Sequence, residues 1–170
     1  DLTTDHGLHY ALGVVDRYKH LPIWLWSSIP CTGGSTIQNI NKKNSSYATR
    51  MAMHNRLFKR LHANFMILAR KVMGETRNGQ LVFEWPARNY WWARSEIKRM
   101  IREFGMEKVR FDGCMVGAVS ETGNPIKKPW MLATTSGDLV HEFAGLLCSN
   151  AWRQCDVLNS QQSDKSGPLI

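Results

Sequence analysis

The sequence predicts an α/β domain, with a mostly parallel sheet under helices and an antiparallel last pair of strands. Two observations carry this reading. Short apolar runs without alternation, as in strands buried on both faces, alternate along the chain with segments of helical period. The final two strand runs are separated by about ten residues, too few for a helical crossover, so that pair is expected to be antiparallel.

The elements follow in the order α-β-α-β-α-β-β-α. Thr3-Thr4-Asp5 is suited to capping a helix, and Leu8, Leu12, Val15 and Tyr18 then recur at helical spacing until Pro22 stops it. Ile23-Trp24-Leu25-Trp26 is the first strand. Residues 29–46 are dense in Gly, Ser, Thr and Asn and read as loop. Tyr47, Met51, His54, Leu57, Leu61, Phe65, Leu68 and Val72 define a long amphipathic helix over 47–73, ended by Gly74 and Asn78-Gly79. Gln80 to Glu84 is the second strand, stopped by Pro86. Ser95 to Phe104 is a shorter helix with Gly105 as its stop. Lys108 to Val119 is a strand interrupted by Gly113 and Gly117, and Trp130 to Thr134 is its partner. Ser136 caps a last helix running to about Leu147.

A chain of 170 residues is long enough for one domain with a real core. We assign that domain to residues 1–150 and a flexible, polar C-terminal tail to 151–170. The sequence has 43% hydrophobic and 21% charged residues, which excludes disorder as the default. No apolar run is long enough to span a membrane. The opening Asp-Leu-Thr-Thr-Asp lacks a signal peptide's basic and apolar regions, and there is no initiator Met, so a fragment or a processed product is expected.

The net charge is +8 and the isoelectric point about 9.6, which points to a polyanionic partner, nucleic acid first. The basic residues cluster at Lys42-Lys43, Arg56-Lys59-Arg60, Arg70-Lys71, Lys98-Arg99-Arg102 and Lys127-Lys128. Cys31, Cys114, Cys148 and Cys155 form no Cys-x-x-Cys pair, so no zinc site is expected. They read as reduced thiols of an intracellular protein. The pairs His6/His9 and His54/His62 lack carboxylates or thiols at ligand spacing, and nothing in the sequence brings Cys31 to His141.

Two loops stand out. In open α/β sheets, ligands bind outside the carboxyl ends of strands. Here Ser27-Ser28-Ile29-Pro30-Cys31 follows the first strand and Phe83-Glu84-Trp85-Pro86 closes the second. Parallel neighbouring strands would place Cys31 and Glu84 at one edge, a thiol beside a carboxylate.

A Pro-Cys loop, a long helix, then strand-Glu-x-Pro resembles the catalytic half of class I S-adenosylmethionine-dependent methyltransferases, closest to the DNA cytosine-C5 type, in a phage or mobile-element-like variant. The resemblance implies a Rossmann-like three-layer sandwich with a C-terminal antiparallel hairpin strand. It implies Cys31 as the nucleophile attacking a flipped cytosine and Glu84 as the contact to the base edge. It implies S-adenosylmethionine beside Ser28 and Pro30. Gly33, Gly34 and Ser35 would hold a phosphate on backbone N–H groups, with Trp85, alongside Trp91 and Trp92, either stacking on the base or forming hydrophobic cover over the sheet edge, and Lys127 and Lys128 on phosphates. The chain departs from the family at Thr32, at Trp85-Pro86 and in lacking a glycine-rich first strand-loop. A segment before Asp1 or a second chain is therefore expected to complete the sheet. The alternative is a catalytically inactive nucleic-acid-binding module of a viral or mobile-element polyprotein, gripping its partner through helix 47–73 and Lys127-Lys128.

Overall fold

The computed structural model describes residues 1–149; the tail assigned to 151–170 and Cys155 lie outside the described residues. Thr4 opens the first helix, α1 (Asp5–Tyr18), by accepting the Gly7 N–H on its hydroxyl at 3.0 Å. Strand β1 (Trp24–Ser27) leads into a 3-10 turn (Thr32–Gly34), the short helix α2 (Gln38–Asn41) and the long helix α3 (Tyr47–Glu75). Strand β2 (Gln80–Pro86), a second 3-10 turn (Tyr90–Ala93) and α4 (Ser95–Glu103) come next. Strand β3 (Glu107–Asp112), a third 3-10 turn (Gly113–Val116), β4 (Pro129–Thr134) and α5 (Gly137–Phe143) complete the order.

The mostly parallel, Rossmann-like sheet is not found. The strands lie in the order β1-β2-β4-β3, and only β1 and β2 pair in parallel; β2–β4 and β4–β3 are both antiparallel. The reason is an insertion. Helix crossovers do leave β1, β2 and β3 running the same way, but β4 enters between β2 and β3 in the opposite sense and replaces the expected parallel contact with two antiparallel ones. The β3 strand is also shorter than the expected 108–119. It ends at Asp112, where Gly113 turns the chain and Gly117 takes φ of 85°, in the left-handed region that glycine favours. The last helix ends at Phe143 rather than near Leu147, with Gly145 at φ 80° beyond it.

Helices α1, α3 and α4 cover one face of the sheet. There Phe58, Phe65, Leu68 and Val72 of α3 and Ile97 and Met100 of α4 meet Leu81, Phe83 and Trp85 of β2. The centre is aromatic: Phe83 packs edge-on to Trp85 with centroids 4.7 Å apart, and Phe58 sits 5.0 Å from Trp91. The Arg94 guanidinium lies 4.3 Å over the Phe58 ring and donates to Asn55 Oδ1 at 2.8 Å. On the other face, α5 buries Val82, Val109, Phe111 and Leu132 under Leu139, Val140 and Phe143. That cover is partial. The α5 helix contacts β3 and β4, and it leaves Trp24 and Trp26 of β1 exposed at the edge of this face.

The His62 ring of α3 sits 5.3 Å from the Phe58 ring, and its buried Nε2 has no hydrogen-bond partner among the described residues. Burial holds its pKa below the ordinary value; nearby Glu96 pulls it up, while Arg94 and Arg99 push it down. The folded chain therefore keeps a neutral imidazole that unfolding frees to take a proton. Stability from this site is present above about pH 6.5, and it falls away as pH drops toward the lowered folded value. The urea midpoint should fall between pH 7 and pH 5, and His62→Gln should make that fall shallower. Separately, Phe58→Ala should cost about 3–5 kcal/mol in equilibrium unfolding, since it opens a cavity beneath three aromatic neighbours and Arg94.

Candidate functional site

The Pro-Cys loop leaves β1 and is fastened to the aromatic core. Trp85 is 1% exposed, and its indole Nε1–H donates to the Ile29 carbonyl at 2.5 Å. Asn89 works in two directions: its Nδ2 donates to the Cys31 carbonyl at 2.8 Å, and its Oδ1 accepts the Trp91 backbone N–H at 2.9 Å. Gly33 and Gly34 are buried beneath Trp91. A Cβ on Gly33 would stand 2.2 Å from Trp91 Cζ2, and one on Gly34 would stand 2.0 Å from Asn89 Oδ1. These glycines are required by close approach to an indole.

This placement corrects several expectations. The Gly34 N–H donates to the Cys31 carbonyl and the Ser35 N–H to the Thr32 carbonyl, so the turn consumes two of the three donors expected to hold a phosphate. Trp85, Trp91 and Trp92 are buried and cannot stack on a base from solvent. Ser28 and Pro30 are exposed on the loop, and Trp91 fills the space over the two glycines beyond them.

Cys31 is half-buried against the core, and burial pushes its thiol pKa up. A hydrogen bond at its own backbone and the charge of Lys128 pull it down, and Glu84 pushes it up again. The thiol is protonated at neutral pH, the unreactive form. Lys128 and Glu84 are near enough for their charges to act on the thiol. The parallel pairing of β1 with β2 brings the two loops to one end of the sheet.

What lies beside the loop is an open aromatic and charged surface. Trp26 of β1 is 50% exposed, and its Nε1–H reaches Glu84 Oε2 at 3.4 Å. Glu84 lies opposite Leu132 and Pro86 opposite Trp130, so Glu84 and Trp130 occupy the same face of the β2–β4 ladder. Lys128 places its ammonium 4.2 Å over the Trp130 ring. Lys127 instead reaches the Cys148 carbonyl at 3.4 Å. Trp26 and Trp130 were missed as site residues in the sequence reading. The signal for Trp26 was the i, i+2 pair Trp24/Trp26 on a strand with one face uncovered.

The basic face of α3 is partly neutralised. Arg60 pairs with Asp5, Arg70 with Glu103 at 2.7 Å, and Lys71 with Asp16 and Glu75, both at 2.7 Å. Arg50, Arg56 and Lys59 form no ion pair among the described residues. No group of three or more metal-ligating side chains occurs among the described residues, and no described helix is long and apolar enough to cross a membrane.

Alkylation of Cys31 by iodoacetamide, followed peptide by peptide in a mass spectrometer, should be slower at pH 7 than for an unhindered thiol. It should accelerate only above about pH 9, consistent with a raised pKa. Gly34→Ala should destabilise the fold by about 1–3 kcal/mol, because the added methyl meets Asn89 and Trp91 in a packed interior. The chain matches no family model, no curated protein and no solved structure.

Proposed function

We propose that the chain binds single-stranded nucleic acid across the open end of its sheet, with Trp26 and Trp130 as stacking surfaces and Lys128 as a phosphate contact. The observation that carries this reading is the pair of contacts Trp26–Glu84 and Lys128–Trp130 on one face of the sheet, with Trp26 exposed on the β1 edge and Trp130 half-buried at the rim of the cluster that α5 covers. Bases of unpaired strands are bound by stacking on exposed aromatic rings, with cationic side chains drawing in the backbone. The two tryptophans lie on β1 and β4, on either side of Glu84 on β2. Their backbones are separated diagonally by roughly 16 Å, from strand spacings and residue rises. That span suits successive bases rather than one ring held between two indoles. The net charge of +8 supplies the long-range attraction.

Nothing at this site favours methyl transfer over binding. The parallel sheet that the methyltransferase resemblance implied is replaced by a mixed one, and the Cys31 thiol is held protonated.

Fluorescence anisotropy with labelled octauridylate and octathymidylate tests the reading. Binding should weaken steeply between 50 and 200 mM salt. Trp26→Ala, at a half-exposed position, should weaken it by roughly fivefold to a hundredfold. Lys128→Ala should lower the salt slope by about one. Absence of binding at low salt, or binding unchanged by Trp26→Ala, would contradict the proposal.

A further inference from the structure

We infer that Glu84 makes this surface selective for guanine, accepting the two adjacent N–H groups of its Watson–Crick edge while the ring stacks against Trp26. The inference rests on the nucleic-acid reading above and adds to it a base preference and the residue that sets it.

The argument starts from what the carboxylate lacks. Its only hydrogen bond among the described residues is from Trp26 Nε1 to Oε2, and at 3.4 Å that bond is long. Oε1 takes no part in it. Glu84 is half-buried at the border of the cluster that α5 covers, beside the exposed Trp26 ring, so a flat ring stacked on the Trp26 indole would present its edge to the carboxylate. A carboxylate offers acceptors only. It repels phosphate, so the backbone of a bound strand is directed toward Lys128 and the base toward Glu84.

The four bases differ in what they present to two side-by-side acceptors. Guanine carries N1–H and the N2 amino group next to each other, two donors that meet two oxygens in a charge-assisted, bidentate pair. Adenine sets its N6 donor beside the N1 acceptor, and cytosine sets N4 beside N3, so one carboxylate oxygen faces a lone pair. Uracil and thymine flank a single N3–H with two carbonyls. Guanine alone satisfies both oxygens. Trp26 serves as a positioning residue here as well as a stacking one, since its indole N–H holds Oε2 toward the β1 side.

The test uses octauridylates carrying a single central guanosine, inosine, adenosine or cytidine, with all-uridine as reference, measured by anisotropy on the wild-type chain and on Glu84→Gln. Glu84 is partly exposed and glutamine is isosteric, so circular dichroism should show the variant folded. The wild type should bind the guanosine octamer roughly tenfold or more tighter than all-uridine. Inosine, which lacks the N2 amino group, should fall between. In Glu84→Gln the guanosine-to-uridine ratio should drop to within about twofold of one. Equal wild-type affinity for guanosine and uridine octamers, or a guanosine preference that survives in Glu84→Gln, would overturn the inference and leave the binding reading intact. Failure to bind any octamer would overturn both.

Discussion

The hydrogen bond from the buried Trp85 indole to the Ile29 carbonyl is the contact on which the rest of this end of the molecule depends. It ties the chain leaving β1 to the core face of β2, the neighbouring strand. Asn89 and Trp91 then close on the same loop, and Gly33 and Gly34 admit the Trp91 ring where any side chain would collide. An unpaired indole N–H or carbonyl in this interior would cost about 1–3 kcal/mol, so the clamp holds as a unit. Because Trp85 points into the core, its strand neighbour Glu84 points the other way, onto the open face. One alternation decides both roles: the tryptophan builds and the glutamate is presented.

That alternation explains why the Pro-Cys stretch misleads. A cysteine after a strand, followed by Gly-Gly and a helix, has the residue types of a nucleophile beside an anion cradle. The same types satisfy a loop packed under an indole. What separates the two is the position of Trp91, sixty residues on in order of magnitude, and no local pattern encodes it. Burial then completes the change, since the thiol is kept in its neutral form.

Much of the element order was legible, because α3 carries a long helical period, α4 a shorter one, and β2 the apolar run Leu81-Val82-Phe83. The crossover through α3 also made β1 and β2 parallel neighbours, which is why the chain carries Cys31 and Glu84 to the same end of the sheet. The sheet order was not legible. Whether a following strand joins an edge or inserts between two others depends on long-range pairing, and β4 inserts. Glu84 could be singled out because it ends an apolar run. Trp26, exposed, and Trp130, half-buried, could not, because exposed and buried tryptophans look alike until it is known which part of the face α5 covers. The reverse error fell on Trp85, Trp91 and Trp92, whose density suggested a surface for bases and which instead form the core.

The central claim is that the Pro-Cys loop is scaffold and that the recognition surface is the sheet face beside it. Nuclear magnetic resonance of the indole N–H groups during titration with a guanosine-containing octauridylate tests this most directly. The signals of Trp26 and Trp130 should shift progressively, while those of Trp85, Trp91 and Trp92 stay in place. Shifts centred on the buried three, or none at Trp26 and Trp130 while the oligonucleotide binds, would contradict it.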